Sequence, residues 1–205
     1  MPGYDEESLS AYNINNNRTG MKLYIKYMVS PRCKQIVKEE LRKLDLQYGI
    51  VDLGTVEILD GITHEQREQL TEALQRSGFE LLDEEKSKLI ERIINVIIEM
   101  VHYADELPKD KPEYISNKLN CDFTYLFDLF LEVKSITIDQ FIKVHKIERV
   151  KELLLYDELS LKEISDKLNY SSVPSLAHQF KKATGLTPSF YKKLKQKRRD
   201  NLKSA

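Results

Sequence analysis

Cysteine is scarce in this sequence, and long apolar runs are missing. Its two cysteines, Cys33 and Cys121, exclude a fold held together by several disulfides and fit a reducing compartment. The longest apolar stretch, Leu89–Val101, is interrupted by four polar residues and is too short to cross a bilayer. Residues 1–20 are polar and lack the apolar block of a signal peptide. We therefore predict a cytoplasmic protein without a membrane partner.

A large net charge is also lacking, because the formal value for the whole chain is −1. The charges are nevertheless unevenly distributed. Ten acidic residues and two arginines lie between Asp52 and Glu85, whereas nine basic residues and one acid follow Phe180. Such asymmetry favours a basic half that meets a polyanion, although a lysine-rich solubilising tail has the same composition.

The first part of the chain predicts a small α/β domain. Residues 1–20 have few apolar groups, so we expect a flexible leader. Residues 21–83 show strand and helix patterns in the order β-α-β-β-α-β, which is typical of a ferredoxin-like fold. The predicted strands are Leu23–Ile25, Ile50–Leu53, Val56–Leu59 and Phe79–Leu82. Ser30-Pro31 and the capping-box pair Thr63 and Gln66 predict the starts of the two helices.

After residue 83 the strand signals end. Leu89, Ile93 and Ile97 recur at helical spacing and predict a long amphipathic helix, and Pro108–Pro112 predicts a linker. The predicted fold class is therefore α+β. An all-α domain over 84–200 follows the ferredoxin-like domain, and 201–205 form a tail.

An internal repeat carries the functional interpretation. ISNKLN at 115–120 recurs as ISDKLN at 164–169, and with one extra residue in the second copy Phe130 aligns with Phe180. Each copy predicts a helix, a short turn and a second helix, that is, a helix-turn-helix. The segment Ile138–Tyr156 between them predicts a connecting helix of about 28 Å. Because one turn of B-DNA measures about 34 Å, such a rod fits two reading helices in successive major grooves. A plain helical bundle with a duplicated segment is the alternative.

The second copy predicts a DNA-reading helix. Ser160 and Glu163 form a capping-box pattern for its first helix, and Ser171 or Ser172 caps the next. Leu176 and Phe180 lie four residues apart and should face inward. The outward positions are small, polar or basic: Ser175, Ala177, His178, Lys181 and Lys182. Such a helix suits the major groove, with lysines on the phosphates.

Residues 84–200 resemble the DNA-binding domain of the AraC/XylS family of transcriptional regulators. The resemblance is carried by Ser160–Ser172 (SLKEISDKLNYSS) and Gln179–Leu194 (QFKKATGLTPSFYKKL). It implies seven helices, with two helix-turn-helix units joined by a connecting helix. It also implies base contacts near the start of each recognition helix. In this chain these are Val173, Pro174, Ser175, Ala177 and His178 in the second unit and Thr124, Phe127 and Asp128 in the first.

The first unit departs from the family pattern. Phe127 and Asp128 stand where the family often has basic or amide residues, and Leu131-Glu132 replace the lysines of the second unit. Asp128 could accept a hydrogen bond from a cytosine amino group. Because acids repel phosphates, we expect instead a weak or structural half-reader, with Phe127 facing a partner or the N-terminal domain.

Residues 21–83 are similar in layout to heavy-metal-associated domains of the copper-chaperone type. Those domains bind a soft ion through two thiolates after the first strand, but here Met28–Cys33 reads MVSPRC. Cys33 alone cannot build a closed site, and Arg32 adds positive charge. We therefore predict no metal at Cys33. Two alternatives stay open, a redox role and a cysteine without function that remains from an ancestral pair. Cys121 is predicted to be buried, and His64, His102 and His145 to be isolated surface or helix-face residues.

The leading hypothesis is a sequence-specific regulator of transcription that binds double-stranded DNA. Its N-terminal domain would serve for homodimerisation or signal input. The alternative is a metal-handling or interaction module whose helical half binds a protein. No paired carboxylates, nucleophile–base pair, phosphate loop or HExxH motif is present, so we predict neither an enzyme nor a cofactor.

Overall fold

A computed structural model describes residues 20–156 and 159–194 of the protein. The predicted leader, apart from Gly20, lies outside the described residues, and so does the tail at 201–205. The same holds for the basic residues that follow Leu194, which are Lys195, Lys197, Arg198, Arg199 and Lys203.

The chain folds into two compact bodies that do not follow chain order. Of the described residues, the first body contains 20–91 and Phe127–Thr137, and the second contains Arg92–Leu126, 138–156 and 159–194. A short downstream piece of chain is therefore part of the N-terminal body.

The first body is a four-stranded sheet with two helices. Its elements follow the predicted order: β1 Met21–Lys26, α1 Pro31–Lys43, β2 Tyr48–Asp52, β3 Thr55–Ile58, α2 His64–Arg76 and β4 Glu80–Leu81. The sheet order is β2-β3-β1-β4, and every neighbouring pair is antiparallel. Each helix connects two strands that are not neighbours in the sheet. The first helix joins β1 to β2, and the second joins β3 to β4.

Local signals start the two helices of this body in different ways. Thr63 forms the predicted capping box, since its hydroxyl accepts the Gln66 N–H and the Gln66 side chain accepts the Thr63 N–H, both at 3.1 Å. Ser30 precedes α1 with extended backbone, but its hydroxyl caps no backbone group and lies 3.4 Å from the Cys33 sulfur instead. Ser30 and Pro31 therefore begin the helix at the predicted position, through the extended backbone of Ser30 and the fixed φ of Pro31 rather than through a side-chain cap.

The core of the first body lies between one face of the sheet and the two helices. Leu23 and Ile25 of β1 and Val56 of β3 are fully buried there, together with Val37 and Leu41 of α1. Side chains alternate across a strand, so the neighbouring residues of β1 point to the opposite face of the sheet.

The remaining elements are helical. They are α3 Glu84–Ile98, a π-helical turn Glu99–Tyr103, α4 Lys111–Leu119, α5 Phe123–Lys134, α6 Ile138–Tyr156, α7 Leu161–Lys167, α8 Val173–Thr184 and α9 at 188–194. The described part of the region after residue 83 thus holds seven α-helices, as the resemblance implied. The connecting helix α6 has the predicted bounds. Pro112 lies in the first turn of α4 and Asp110 caps it, so the expected linker ends earlier than predicted. Among the described residues no helix is long and apolar enough to span a membrane.

Phe180 is fully buried in the second body, whereas His178 on the same helix is exposed. Truncation of a buried aromatic ring removes its transfer free energy and leaves a cavity. We predict that Phe180→Ala lowers the free energy of unfolding by about 3 to 5 kcal/mol. His178→Ala should change it by no more than about 0.5 kcal/mol. Denaturant unfolding of both variants tests this, and equal effects would contradict the described orientation of α8.

Candidate nucleic-acid interface

Both helices of the second helix-turn-helix begin with a side-chain cap. Ser160 accepts the Glu163 N–H at 3.3 Å, and the Glu163 carboxylate accepts the Ser160 N–H at 2.7 Å, which forms the predicted capping box of α7. Ser172 has extended backbone, and its hydroxyl accepts the Ser175 N–H at 3.2 Å. Pro174 lies in the first turn of α8, where a missing N–H removes no helical hydrogen bond. Ser172, rather than Ser171, is therefore the cap.

Apolar residues four apart hold the two helices together. Ile164 and Leu168 belong to the same buried cluster as Leu176 and Phe180, and the cluster includes Val150 of the connecting helix. The last described helix also contributes, because the ring of Tyr191 meets that of Phe180 edge to face at 5.4 Å between centroids. This packing determines which side of α8 faces outward.

A lysine of the connecting helix packs on the turn of the helix-turn-helix. The Lys146 ammonium lies 3.7 Å from the centroid of the Tyr170 ring, and both residues are buried. Burial lowers the pKa of Lys146 to about 8 and raises the pKa of Tyr170 to about 12. A cation over an aromatic face is attracted by the ring quadrupole, so this contact fixes the turn on α6. The sequence analysis missed it, since a lysine at this position reads as a solvent-facing residue.

The predicted DNA-contacting residues of the second unit share the outer side of α8. Ser172, Pro174, His178, Lys181 and Lys182 are exposed, and Val173, Ser175 and Ala177 are partly exposed. Gln179 was missed by the sequence analysis. It is partly exposed, and its side-chain amide lies 3.5 Å from the Ser175 hydroxyl, four residues earlier. The four-residue spacing itself is a signal that could have identified it.

Basic side chains lie at two places in this body. Lys181 and Lys182 extend from the last turn of α8. Three leucines, two serines and two lysines line a cleft of about 300 Å³. Its lining residues are Leu154, Leu159, Ser160, Leu161, Ser189, Lys192 and Lys193. Ammonium and hydroxyl groups together are the donors that hold phosphate oxygens in protein–DNA interfaces.

The predicted residues of the first unit lie on α5, in a different setting. Thr124 and Asp128 are exposed, and Phe127 is partly buried. Leu131 and Glu132 occupy the positions that align with the lysines of α8. The part of α5 from Phe127 onward belongs to the N-terminal body.

The cysteines and histidines do not form a metal site. Among the described residues no group of three or more His, Cys, Asp or Glu side chains could hold a metal ion. Cys33 is partly buried. Burial raises the pKa of its thiol, but hydrogen bonds from Ser30 and the backbone outweigh that effect, so the pKa lies below its ordinary value. Cys121 is partly rather than fully buried, which corrects the prediction.

Two histidines that were expected to stand alone are packed together. The rings of His102 and His145 meet edge to face at 5.7 Å, and His102 Nδ1 lies 3.2 Å from the Glu152 carboxylate. Burial lowers the pKa of His145 to about 4. The prediction of isolated histidines was therefore wrong for this pair, because the contact joins residues far apart in sequence. His64 is exposed beside Glu68.

Comparison with known proteins identifies the type of domain in the C-terminal part. Residues 115–194 match the family model described as a helix-turn-helix domain. This range contains both copies of the repeat and the connecting helix. It supports the interpretation of the C-terminal part as a helix-turn-helix domain.

Two curated bacterial proteins and one solved structure are each similar to about half of the chain. The Msm operon regulatory protein of Streptococcus mutans is 27% identical over 112 residues, which are 54% of this chain and 39% of that protein. The uncharacterized HTH-type transcriptional regulator YtdP of Bacillus subtilis is 26% identical over 102 residues, 49% of this chain and 13% of that protein. The C-terminal domain of the two-component response regulator yesN of Fusobacterium nucleatum is 27% identical, with a TM-score of 0.42, over 50% of this chain and 95% of that domain. The chain thus spans well under half of the length of both curated relatives.

The buried Lys146 makes stability depend on pH. Its folded pKa of about 8 lies below the ordinary 10.5, so between these values the unfolded chain binds more protons. The free energy of unfolding therefore rises with pH in this window, and Lys134, whose pKa is also lowered to about 8, adds a rise of the same sign. We predict a smaller rise for Lys146→Met, measured by urea unfolding at pH 7.5 and 9.5.

The control for this prediction is Lys162→Met, which changes an exposed lysine of α7. It should keep the rise of the parent. A Lys146→Met variant whose rise equals that of the parent would show that Lys146 is not buried as described.

Proposed function

We propose that this chain is a sequence-specific regulator of transcription that binds double-stranded DNA, with α8 as its main reading helix. The observation that carries the proposal is the outward side of α8, where small and polar residues near its start are followed by two exposed lysines. A reading helix meets base edges with its first turns and phosphates with its flanking cations. The match of residues 115–194 to a helix-turn-helix domain supports this interpretation.

Each predicted residue of α8 has a part in the proposed contact. Ser175 and His178 carry hydroxyl and imidazole groups that can hydrogen bond to base edges, and Ala177 can contact a thymine methyl group. Lys181 and Lys182 bind phosphates. Val173 and Pro174 are further candidate base contacts at the helix start. The capping Ser172 approaches the DNA backbone there, where the helix dipole favours a phosphate.

The first unit contributes less in this proposal. Thr124, Phe127 and Asp128 stay its candidate base contacts. Phe127 is partly buried, however, and the aligned lysine positions hold Leu131 and Glu132. Without those cations the unit lacks most of the electrostatic affinity that DNA binding requires.

We assign the N-terminal domain, residues 21–83, to the ferredoxin-like fold, between a leader at 1–20 and the helix-turn-helix domain at 84–200. The strand order β2-β3-β1-β4 with antiparallel neighbours supports this assignment. Its proposed role is homodimerisation or signal input. A metal-handling role is not favoured, because Cys33 has Ser30 rather than a second thiol beside it.

Loss of the two lysines should weaken binding to every duplex. We predict that Lys181→Ala/Lys182→Ala lowers affinity for a random-sequence 30-bp duplex roughly tenfold near physiological salt, and reduces the slope of log affinity against log salt by about 1 to 2. Fluorescence anisotropy at several salt concentrations measures both values.

The matched control is Arg42→Ala/Lys43→Ala, which removes the same charge from exposed positions of α1. It should leave the slope unchanged. A lysine variant of α8 that binds like this control would show that α8 is not the docking helix.

Changes at Ser175 and His178 should affect sequence preference instead. We predict that Ser175→Ala/His178→Ala loses about 1 to 3 kcal/mol per lost base contact on the duplex that the parent selects from a random pool, with little change on unselected duplexes. Parallel selections with the parent and the variant test this. Identical selected sequences would place the reading residues elsewhere.

A further inference from the structure

The C-terminal end of α5 is bound by the N-terminal sheet within the first body. The Tyr27 N–H donates to the carbonyl of Glu132 at 2.9 Å, and the Ser135 hydroxyl donates to the carbonyl of Met28 at 2.9 Å. The Lys134 ammonium donates to the Thr55 hydroxyl at 3.0 Å. We call Glu132–Ser135 the α5 anchor. These bonds link it to the two residues that follow β1 and to β3.

An ion cluster reinforces the same contact. The ammonium of Lys26 lies 3.0 Å from the carboxylate of Glu80 and 3.1 Å from that of Glu132, and its side chain is only 10% exposed. One buried cation thus joins β1, β4 and the α5 anchor. Removing Lys26 would leave the two carboxylates near each other without a cation, which makes this lysine costly to replace.

The anchor lies on the face of the sheet that the two helices leave uncovered. Leu23 pairs with Val56, and both belong to the core under α1 and α2. The next pair, Tyr24 and Thr55, points the other way, and Thr55 receives the lysine of the anchor. Tyr24 is only 3% exposed, so this second face is also covered.

The turn between β2 and β3 touches the backbone of α5. Gly54 has φ of 73°, and a Cβ built on it would overlap the carbonyl oxygen of Val133. A glycine is therefore required here for two reasons, the left-handed backbone and the close approach. Gly61 and Gly78 have the same backbone region, but a Cβ on either would meet nothing within 4 Å.

The internal repeat shows what this contact replaces. Leu131 and Glu132 align with Lys181 and Lys182, which are exposed on α8. In the first unit the aligned Glu132 binds Lys26 through its carboxylate and Tyr27 through its carbonyl. The position that offers a cation to DNA in one copy is thus engaged by the N-terminal domain in the other.

We propose that the first helix-turn-helix serves as the mount of the N-terminal domain, and that α8 alone reads DNA. The second half of this proposal rests on the proposed function, whereas the first half does not. The chain then recognises one major-groove segment per copy.

Amide hydrogen exchange in the full chain, followed by NMR, tests the mount. The measured quantity is the exchange rate of the Tyr27 amide divided by that of the Leu82 amide, which directly follows β4. We expect this ratio to be at least tenfold higher in Gly54→Ala than in the parent. Leu82 bonds to Tyr24 and so reports on the sheet itself. Gly61→Ala is the matched control, because it creates the same backbone strain in open space.

A second variant guards against a Gly54→Ala chain that fails to fold. Ser135→Ala removes the bond to Met28 and should raise the Tyr27 exchange rate in the same direction, by a smaller factor. If Gly54→Ala matches Gly61→Ala, or if Ser135→Ala matches the parent where Gly54→Ala does not fold, the mount is overturned.

A hydroxyl-radical footprint of the full chain tests the reading half, on the duplex that the parent selects from a random pool. We expect one protected segment per bound chain, and Ser175→Ala/His178→Ala should weaken it. Two protected segments one helical turn apart, both from a single chain, would overturn it. Absence of any protection would overturn the proposed function and with it the reading half, while amide exchange still decides the mount.

Discussion

The burial of Leu176 and Phe180 against the rest of the second body is the contact on which the candidate interface depends. Both residues lie four apart on α8, and both are fully buried. Residues four apart lie on the same side of a helix. Because that side of α8 is buried, the residues between Leu176 and Phe180 lie on the sides that face outward. The cation–π contact of Lys146 with Tyr170 then fixes the preceding turn. A chain with the same polar residues but no buried pair could not present them as one surface.

The two copies of the repeat show how one supersecondary unit can take two roles. In the second copy the two positions after Phe180, which aligns with Phe130, are exposed lysines. In the first copy the equivalent Glu132 is held by Lys26 and Tyr27 of the N-terminal sheet. The local pattern of helix, turn and helix is the same in both. The difference lies at the end of the second helix of each copy. The N-terminal sheet binds the end of α5, whereas the lysines at the end of α8 are exposed.

Local signals explain how much of this could be predicted from the sequence. Capping residues such as Ser160 and Thr63 act within one turn, so the helix starts followed from composition and spacing. The bounds of α6 followed from the positions of the two repeat copies, and the inward side of α8 followed from the four-residue spacing of Leu176 and Phe180. The contacts of Lys146 with Tyr170, of His102 with His145 and of Gly54 with α5 could not be predicted, because they join residues far apart in the chain. Glu132, the acid that aligns with Lys182, predicted only weaker DNA binding by the first unit. It did not predict the contact of Glu132 with Lys26 and Tyr27.

The most direct test of the central claim is an NMR titration of the full chain with the duplex it selects. If α8 is the reading helix, the amide signals of Val173–Lys182 should shift or broaden first and most strongly, while those of the buried core move little. Strong changes elsewhere, with the signals of α8 unaffected at saturation, would contradict the account.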